Sequence, residues 1–148
     1  MHKFIFEKFE KKHYSEYQSW FSDPDIKNAL GYIDDEWLNY ILNDQEGIEL
    51  VAIKDSMILA VIGLHFPSPK DPTYTITNIA VKPQLKNKGF GSQILSALIN
   101  EYPLKNNEYW VCHVDPQNKN AQRFFEKNAW EKSQEQDMIK YILKNSSS

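Results

Sequence analysis

Apolar and charged residues alternate through Lys3–Phe9 (KFIFEKF), the two-residue period of a half-buried strand. The period then lengthens. In His13–Phe21 (HYSEYQSWF), Tyr14, Tyr17 and Phe21 recur at helical spacing, and Asp23-Pro24 signals the start of another short helix, through about Leu30. Asp34 and Asp35 open a further helix to about Asn43, with Trp37, Leu38 and Ile41 on its apolar side. Ile48–Phe66 is two apolar runs joined at Lys54-Asp55-Ser56, the pattern of a hairpin. After the loop Pro67–Pro72 comes Tyr74–Lys82, a strand rich in β-branched residues and closed by Pro83. Gly91–Tyr102 has the pattern of an amphipathic helix and Tyr109–Val114 that of a strand. Asn118–Asn128 is a helix that Asn118 can cap. Trp130–Gln136 and Asp137–Leu143 close the chain as an antiparallel pair.

This order predicts an α/β fold with a mixed, mostly antiparallel central sheet flanked by helices. One crossover carries the helix at Gly91 and the next the helix at Asn118. The sequence contains no internal repeat and no linker long enough to divide it. The 148 residues therefore predict a single domain over residues 1–144, with a frayed tail at Asn145–Ser148.

Composition narrows the function classes. A net charge of −3 and a pI of about 5.8 argue against a general nucleic-acid binder, which carries a basic footprint. No apolar run approaches the roughly 18 residues of a membrane span. The opening MHKFIFEKFEKK is too interrupted by charge for a signal peptide. A single cysteine, Cys112, has no internal disulfide partner and no zinc-ligand spacing around it, so a cytoplasmic setting without a metal is expected. Cys112 itself reads as strand packing.

The chemistry concentrates in Ala80–Leu95 (AVKPQLKNKGFGSQIL). Two of the chain's five glycines, Gly89 and Gly91, stand in a lysine-bearing hinge between a strand and a helix. A helix start leaves backbone N–H groups without partners and carries the positive end of the helix dipole. Glycines there let the backbone approach a ligand and take positive φ. Amides from Asn87 to Ser92 are thus placed to cradle a pyrophosphate, with Lys86 and Lys88 adding charge. Neither the P-loop pattern nor the dinucleotide GxGxxG is present.

With Ile79-Ala80-Val81-Lys82-Pro83 as a strand end and Lys86-Asn87-Lys88-Gly89-Phe90-Gly91 as a loop, the chain resembles the GNAT N-acetyltransferase superfamily. That family has Gln/Arg-x-x-Gly-x-Gly/Ala at this place, and Lys86 departs from it while keeping the charge. A second block agrees: Asn118-Lys119-Asn120-Ala121, followed by Phe125-Glu126-Lys127-Asn128-Ala129-Trp130. Together the blocks cover about residues 74–135.

The resemblance implies a GNAT-like fold and acetyl-CoA as cosubstrate. The backbone of Ile79, Ala80 and Val81 would pair with the pantetheine arm. The pyrophosphate would lie on Lys86, Asn87, Lys88, Gly89, Phe90, Gly91 and Ser92. Asn118, Ala121 and Phe125 would lie along the arm near the thioester. The implied reaction is acetyl transfer to a primary or α-amine of a small molecule or peptide, by direct attack in a ternary complex, in a monomer or homodimer.

In many relatives a tyrosine seven residues after the Asn protonates the leaving thiolate; here that position is Phe125. Tyr109 and Tyr141 are possible substitutes. Ribosomal-protein N-terminal acetyltransferases carry Glu five residues before the Asn, where this chain has His113, a candidate base. Asn78 is a candidate for binding the acceptor or a water. His65 is expected at the rim, Asp34–Glu36 at a helix start, and Trp20 and Trp37 in the core. A catalytically weak acyl-CoA-binding sensor is the alternative that Phe125 favours.

Overall fold

A seven-stranded sheet, in the order β1-β2-β3-β4-β5-β7-β6, runs through the computed structural model, which describes residues 3–144. The strands are β1 (Ile5–Lys8), β2 (Gly47–Lys54), β3 (Met57–His65), β4 (Thr73–Val81), β5 (Tyr109–Val114), β6 (Glu131–Glu135) and β7 (Met138–Lys144). Every neighbouring pair is antiparallel except β4 with β5, so the sheet is mixed and mostly antiparallel, as the pattern predicted. The tail expected at Asn145–Ser148 lies outside the described residues.

The helices are α1 (Tyr14–Ser19), α2 (Pro24–Leu30), α3 (Asp35–Asn43), α4 (Phe90–Glu101) and α5 (Lys119–Lys127). The helix expected over His13–Phe21 is α-helical only in its middle, with 3₁₀ turns at Lys11–His13 and Trp20–Ser22. Pro24 is the cause at the second end. It excludes the α conformation from the residue before it, and Asp23 is extended at φ −75°, ψ 124°. Asp23 then caps α2, its Oδ1 accepting from the Asp25 N–H at 3.2 Å, and Asp34 caps α3 by accepting from Trp37 N–H at 2.9 Å.

Two apolar clusters lie on opposite faces of the sheet. On one, Leu50, Ala52, Ile62, Leu64 and Ile76 meet Ile94, Leu95 and Leu98 of α4 and Phe125 of α5. On the other, Val51, Val61 and Ala80 meet Phe9, Tyr17, Trp20, Ile26, Leu38 and Ile41, with Trp37 packed against them. β2 and β3 are thus covered on both sides, which is why they read as continuous apolar runs rather than alternating ones. Their two-residue connection, Asp55-Ser56, has positive φ at both positions (52° and 66°), as a twisted hairpin needs. The chain leaves α5 for β6, which is not β5's neighbour: β7 returns between them.

Candidate active site

β4 and β5 stay together only over Thr73–Ile76 and Tyr109–Cys112. A bulge contributes to the parting. Gly63 faces Asn78 but Leu64 faces Ile76, so Thr77 is an extra residue that bends β4. From Thr77 onward β4 has no partner on its β5 side. Beside the opening lies a cleft of about 1120 Å³. Ile79, Ala80 and Val81 line it, with the turn into α4, the α2 segment Asp25–Leu30, and the α5 side chains Lys119, Arg123, Phe124, Phe125 and Lys127.

The turn is built as the sequence required. Asn87 (φ 60°) and Gly89 (φ 84°) are left-handed, and Gly89 stands immediately before α4 as its N-cap. Gln93 N–H bonds back to the Gly89 carbonyl at 3.3 Å, but among the described residues the N–H groups of Asn87–Ser92 make no other such backbone bond outside the helix. Consecutive free amides around left-handed residues make a concave positive surface, a fit for a diphosphate oxygen set. The two glycines do different work. Gly89 supplies the conformation. Gly91 supplies room, since a Cβ there would stand 3.0 Å from Cε1 of Phe124.

Lys86 lines the cleft but is already held: its ammonium pairs with Asp23 and, at 2.9 Å, with Asp25. Hydrogen bonds to these carboxylates, Asp23 foremost, push its pKa up. Lys88 is exposed and stands outside the cleft lining. Much of the positive charge in the lining comes from α5 instead, where Lys119, Arg123 and Lys127 follow each other every four residues along about 12 Å of helix. That spacing was visible in the sequence as one cationic face.

Asn118 Oδ1 caps α5 by accepting from Ala121 N–H at 3.1 Å. Asn128 Nδ2 donates to Ser92 Oγ at 3.1 Å, tying the end of α5 to the start of α4. Phe125 touches the cleft yet is 1 % exposed, stacked on Tyr141 (ring centroids 5.6 Å) and edge-on to Trp130 (4.9 Å). Tyr141 donates its O–H to Glu126 at 2.6 Å, and burial, followed by this bond, raises its pKa. Neither Tyr141 nor Tyr109 lines the cleft.

The remaining candidates do not line the cleft. His113 is exposed on β5, with Nε2 3.6 Å from Glu135 of β6, and does not line the cleft. His65 meets Asp44 at 3.7 Å at the end of β3 and does not line the cleft. Cys112 is buried in the core, its thiol pushed up to about 12 by burial. Asn78, in the bulge, donates Nδ2 to Glu49 Oε2 at 2.7 Å. Glu49 is the residue that sequence reading passed over. It interrupts the apolar run IELVAI, is only 7 % exposed, and burial pushes its pKa up to about 7. A charged residue inside a strand covered on both faces was the available signal. Among the described residues no cluster of three or more His, Cys, Asp or Glu is placed to hold a metal, and no helix is long and apolar enough to cross a membrane.

This architecture recurs in solved structures. RimL, a ribosomal-protein alpha-N-acetyltransferase in complex with coenzyme A, superposes with a TM-score of 0.75 at 12% identity, covering 95% of this chain and 93% of that one. Spermidine N-acetyltransferase from Vibrio cholerae, in complex with CoA and spermine, gives 0.72 at 14% identity over 94% and 93%. An acetyltransferase from Thermus thermophilus gives 0.78 at 13% identity over 97% and 99%. At such identities the likeness shows the fold alone. No curated protein sequence matches significantly. The family itself is shown by sequence, for residues 6–130 match the acetyltransferase (GNAT) family, and the chain therefore belongs to that family.

Proposed function

We propose that this protein is an acetyl-CoA-dependent N-acetyltransferase that acetylates a primary or α-amine. The observation that carries the reading is the coincidence of three features in one cleft: a β4 edge left unpaired, a turn of free amides at the start of α4, and a row of cations on α5. The open N–H and C=O groups of Ile79–Val81 suit an amide-bearing arm laid alongside as an extra strand. Amides from Asn87 to Ser92 suit a pyrophosphate, and Lys119, Arg123 and Lys127 suit further phosphate charge. Asn118, Ala121 and Phe125 then flank the arm toward the parting of the strands.

Acetyl-CoA supplies an activated acyl group; the chain's task is to position it, strip a proton from the incoming ammonium and exclude competing water. In a ternary complex the acceptor nitrogen attacks the thioester carbonyl directly, with no acyl-enzyme; the C–S bond breaks and the coenzyme A thiolate leaves, taking its proton from water. His113, beside Glu135 on the open part of the sheet, is the candidate base. The relatives in complex with CoA, one a protein acetyltransferase and one a spermidine acetyltransferase, support the cofactor and an amine acceptor of either size.

The test is release of free thiol from acetyl-CoA with a panel of amines and N-terminal peptides. Turnover with at least one amine is expected. One observation favours a second reading, an acyl-CoA-binding sensor: Phe125 has no hydroxyl and sits packed in the core. Tight CoA binding without thiol release on any amine would establish the sensor and reject the enzyme.

A further inference from the structure

Three strands converge on one small polar array that the cofactor cleft does not use. Glu49 of β2 faces Gly63 of β3, and Gly63 faces Asn78 of β4. Gly63 has no side chain, and the space above it is filled by its neighbours. A Cβ there would lie 2.2 Å from Asn78 Oδ1, 2.3 Å from Thr77 Oγ1 and 2.9 Å from Glu49 Oε1. Asn78 Nδ2 donates to Glu49 Oε2 at 2.7 Å, and Thr77 Oγ1 donates to Asn78 Oδ1 at 3.0 Å. The array thus runs from a buried carboxylate to the exposed Thr77, the first residue of β4 beyond its pairing with β5.

The direction of these bonds is fixed by chemistry. An ionised carboxylate only accepts, so it must face the NH₂ end of the Asn78 amide, and the carbonyl end must face Thr77. Oδ1 accepts from the Thr77 hydroxyl and keeps a second lone pair, while Thr77 Oγ1 keeps acceptor capacity of its own. A protonated Glu49 can donate instead. The amide is then free to turn over, and its NH₂ end replaces the carbonyl at the outer side. The outer side thus receives N–H donors in one state and repels them in the other.

We propose that Glu49 is a positioning residue for the acceptor: through Asn78 it keeps oxygen acceptors, Asn78 Oδ1 and Thr77 Oγ1, turned toward an incoming amine. The inference rests on the amine-acetylating reading above and adds a residue and a polarity to it. Among the described residues no cation pairs with Glu49. The groups that face it are the Tyr17 hydroxyl of α1, Asp44 at the end of α3, itself near His65, and the Asn78 amide. Burial and Asp44 oppose its charge and only Asn78 favours it, so its protonation changes close to neutral pH.

The experiment is ¹⁵N NMR of the Asn78 side-chain amide in the full chain, titrated from pH 5 to pH 9 with and without 1,4-diaminobutane as the amine probe. The Asn78 signals should move with a midpoint near 7 in the parent chain and stay still in Glu49→Gln, whose amide satisfies Asn78 in either orientation. Diamine should shift them at pH 8.5 at least tenfold more effectively than at pH 5.5 in the parent, and equally at both values in Glu49→Gln. Asn78 signals that ignore pH, or a diamine response that Glu49→Gln leaves unchanged, would overturn the proposal. Glu49→Asp, which keeps the charge but shortens the reach, separates the carboxylate's charge from its placement. It should restore the pH response and only part of the diamine response, and a silent response in both variants alike would also overturn it. Thiol release from acetyl-CoA is scored separately, so absence of turnover refutes the enzymatic reading without touching the NMR result.

Discussion

At the scale of single residues, burial decides the behaviour of two side chains. The Glu49 carboxyl ionises near 4.5 when exposed and near 7 in the fold, because desolvation outweighs its hydrogen bond from Asn78. Between those values the folded chain holds a proton that the unfolded chain has lost, so stability falls as pH rises through this window. The full effect is about 3 kcal/mol. Thermal melts should show the parent losing ground to Glu49→Gln between pH 5 and pH 8, and a constant difference would refute the assignment. Phe125 is the second case. Its ring reaches the cleft without a hydroxyl, and Phe125→Tyr should raise turnover at least about tenfold if a proton donor is what the site lacks. Unchanged turnover together with a lowered melting temperature would mean that the hydroxyl was only buried without a partner.

At the scale of elements, the turn into α4 shows what patterning reveals and what it leaves out. The glycine pair, the proline and the helix start were all legible, because local conformation is written in local residues. The charge balance was not. Lys86 looks free in sequence, and its partners Asp23 and Asp25 lie 63 and 61 residues earlier, brought across by the packing of α2. Asp25 also lines the cleft, so Asp25→Asn removes an anion from its lining and loosens the hold on Lys86. Coenzyme A should then bind about two- to fivefold tighter, with a steeper salt dependence, as read by calorimetry at two ionic strengths. Gly89→Ala tests the backbone instead. A left-handed φ of 84° costs an alanine about 1 kcal/mol, and the displaced amides should weaken coenzyme A binding more than they lower the melting temperature. Legibility also failed for Glu49 and Asn78, since they lie 29 residues apart and meet only across Gly63, a distance that no local period encodes.

At the scale of the molecule, the β4–β5 parting organises everything else. Strand types and the mixed sheet followed from periodicity, but the strand order did not, because alternation says which face is buried and nothing about which neighbour supplies the ladder. The last strand is the clearest instance. β7 pairs with β5 on one side and β6 on the other, so β6, with five exposed residues, joins the hydrogen-bonded ladder only through it among the described residues. A chain stopped after Gln136 should therefore lose more than its last seven sheet residues. β5 would be left with an open edge, and Tyr141 would be missing from beneath Phe125. Circular dichroism and size-exclusion chromatography should show an expanded or aggregated product rather than a shortened native one.

That arrangement also sets a timetable. During synthesis β1 to β4 and α1 to α4 can collapse in order of appearance, each hairpin closing on a strand already made. The C-terminal third must wait, because the strand that joins β5 to β6 follows both of them in the chain. Until Met138–Lys144 emerges, β5 offers an unpaired edge and β6 has nowhere to dock. The α5 wall of the cleft has the same dependence, for Phe125 finds its stacking partner Tyr141 only once β7 is in place.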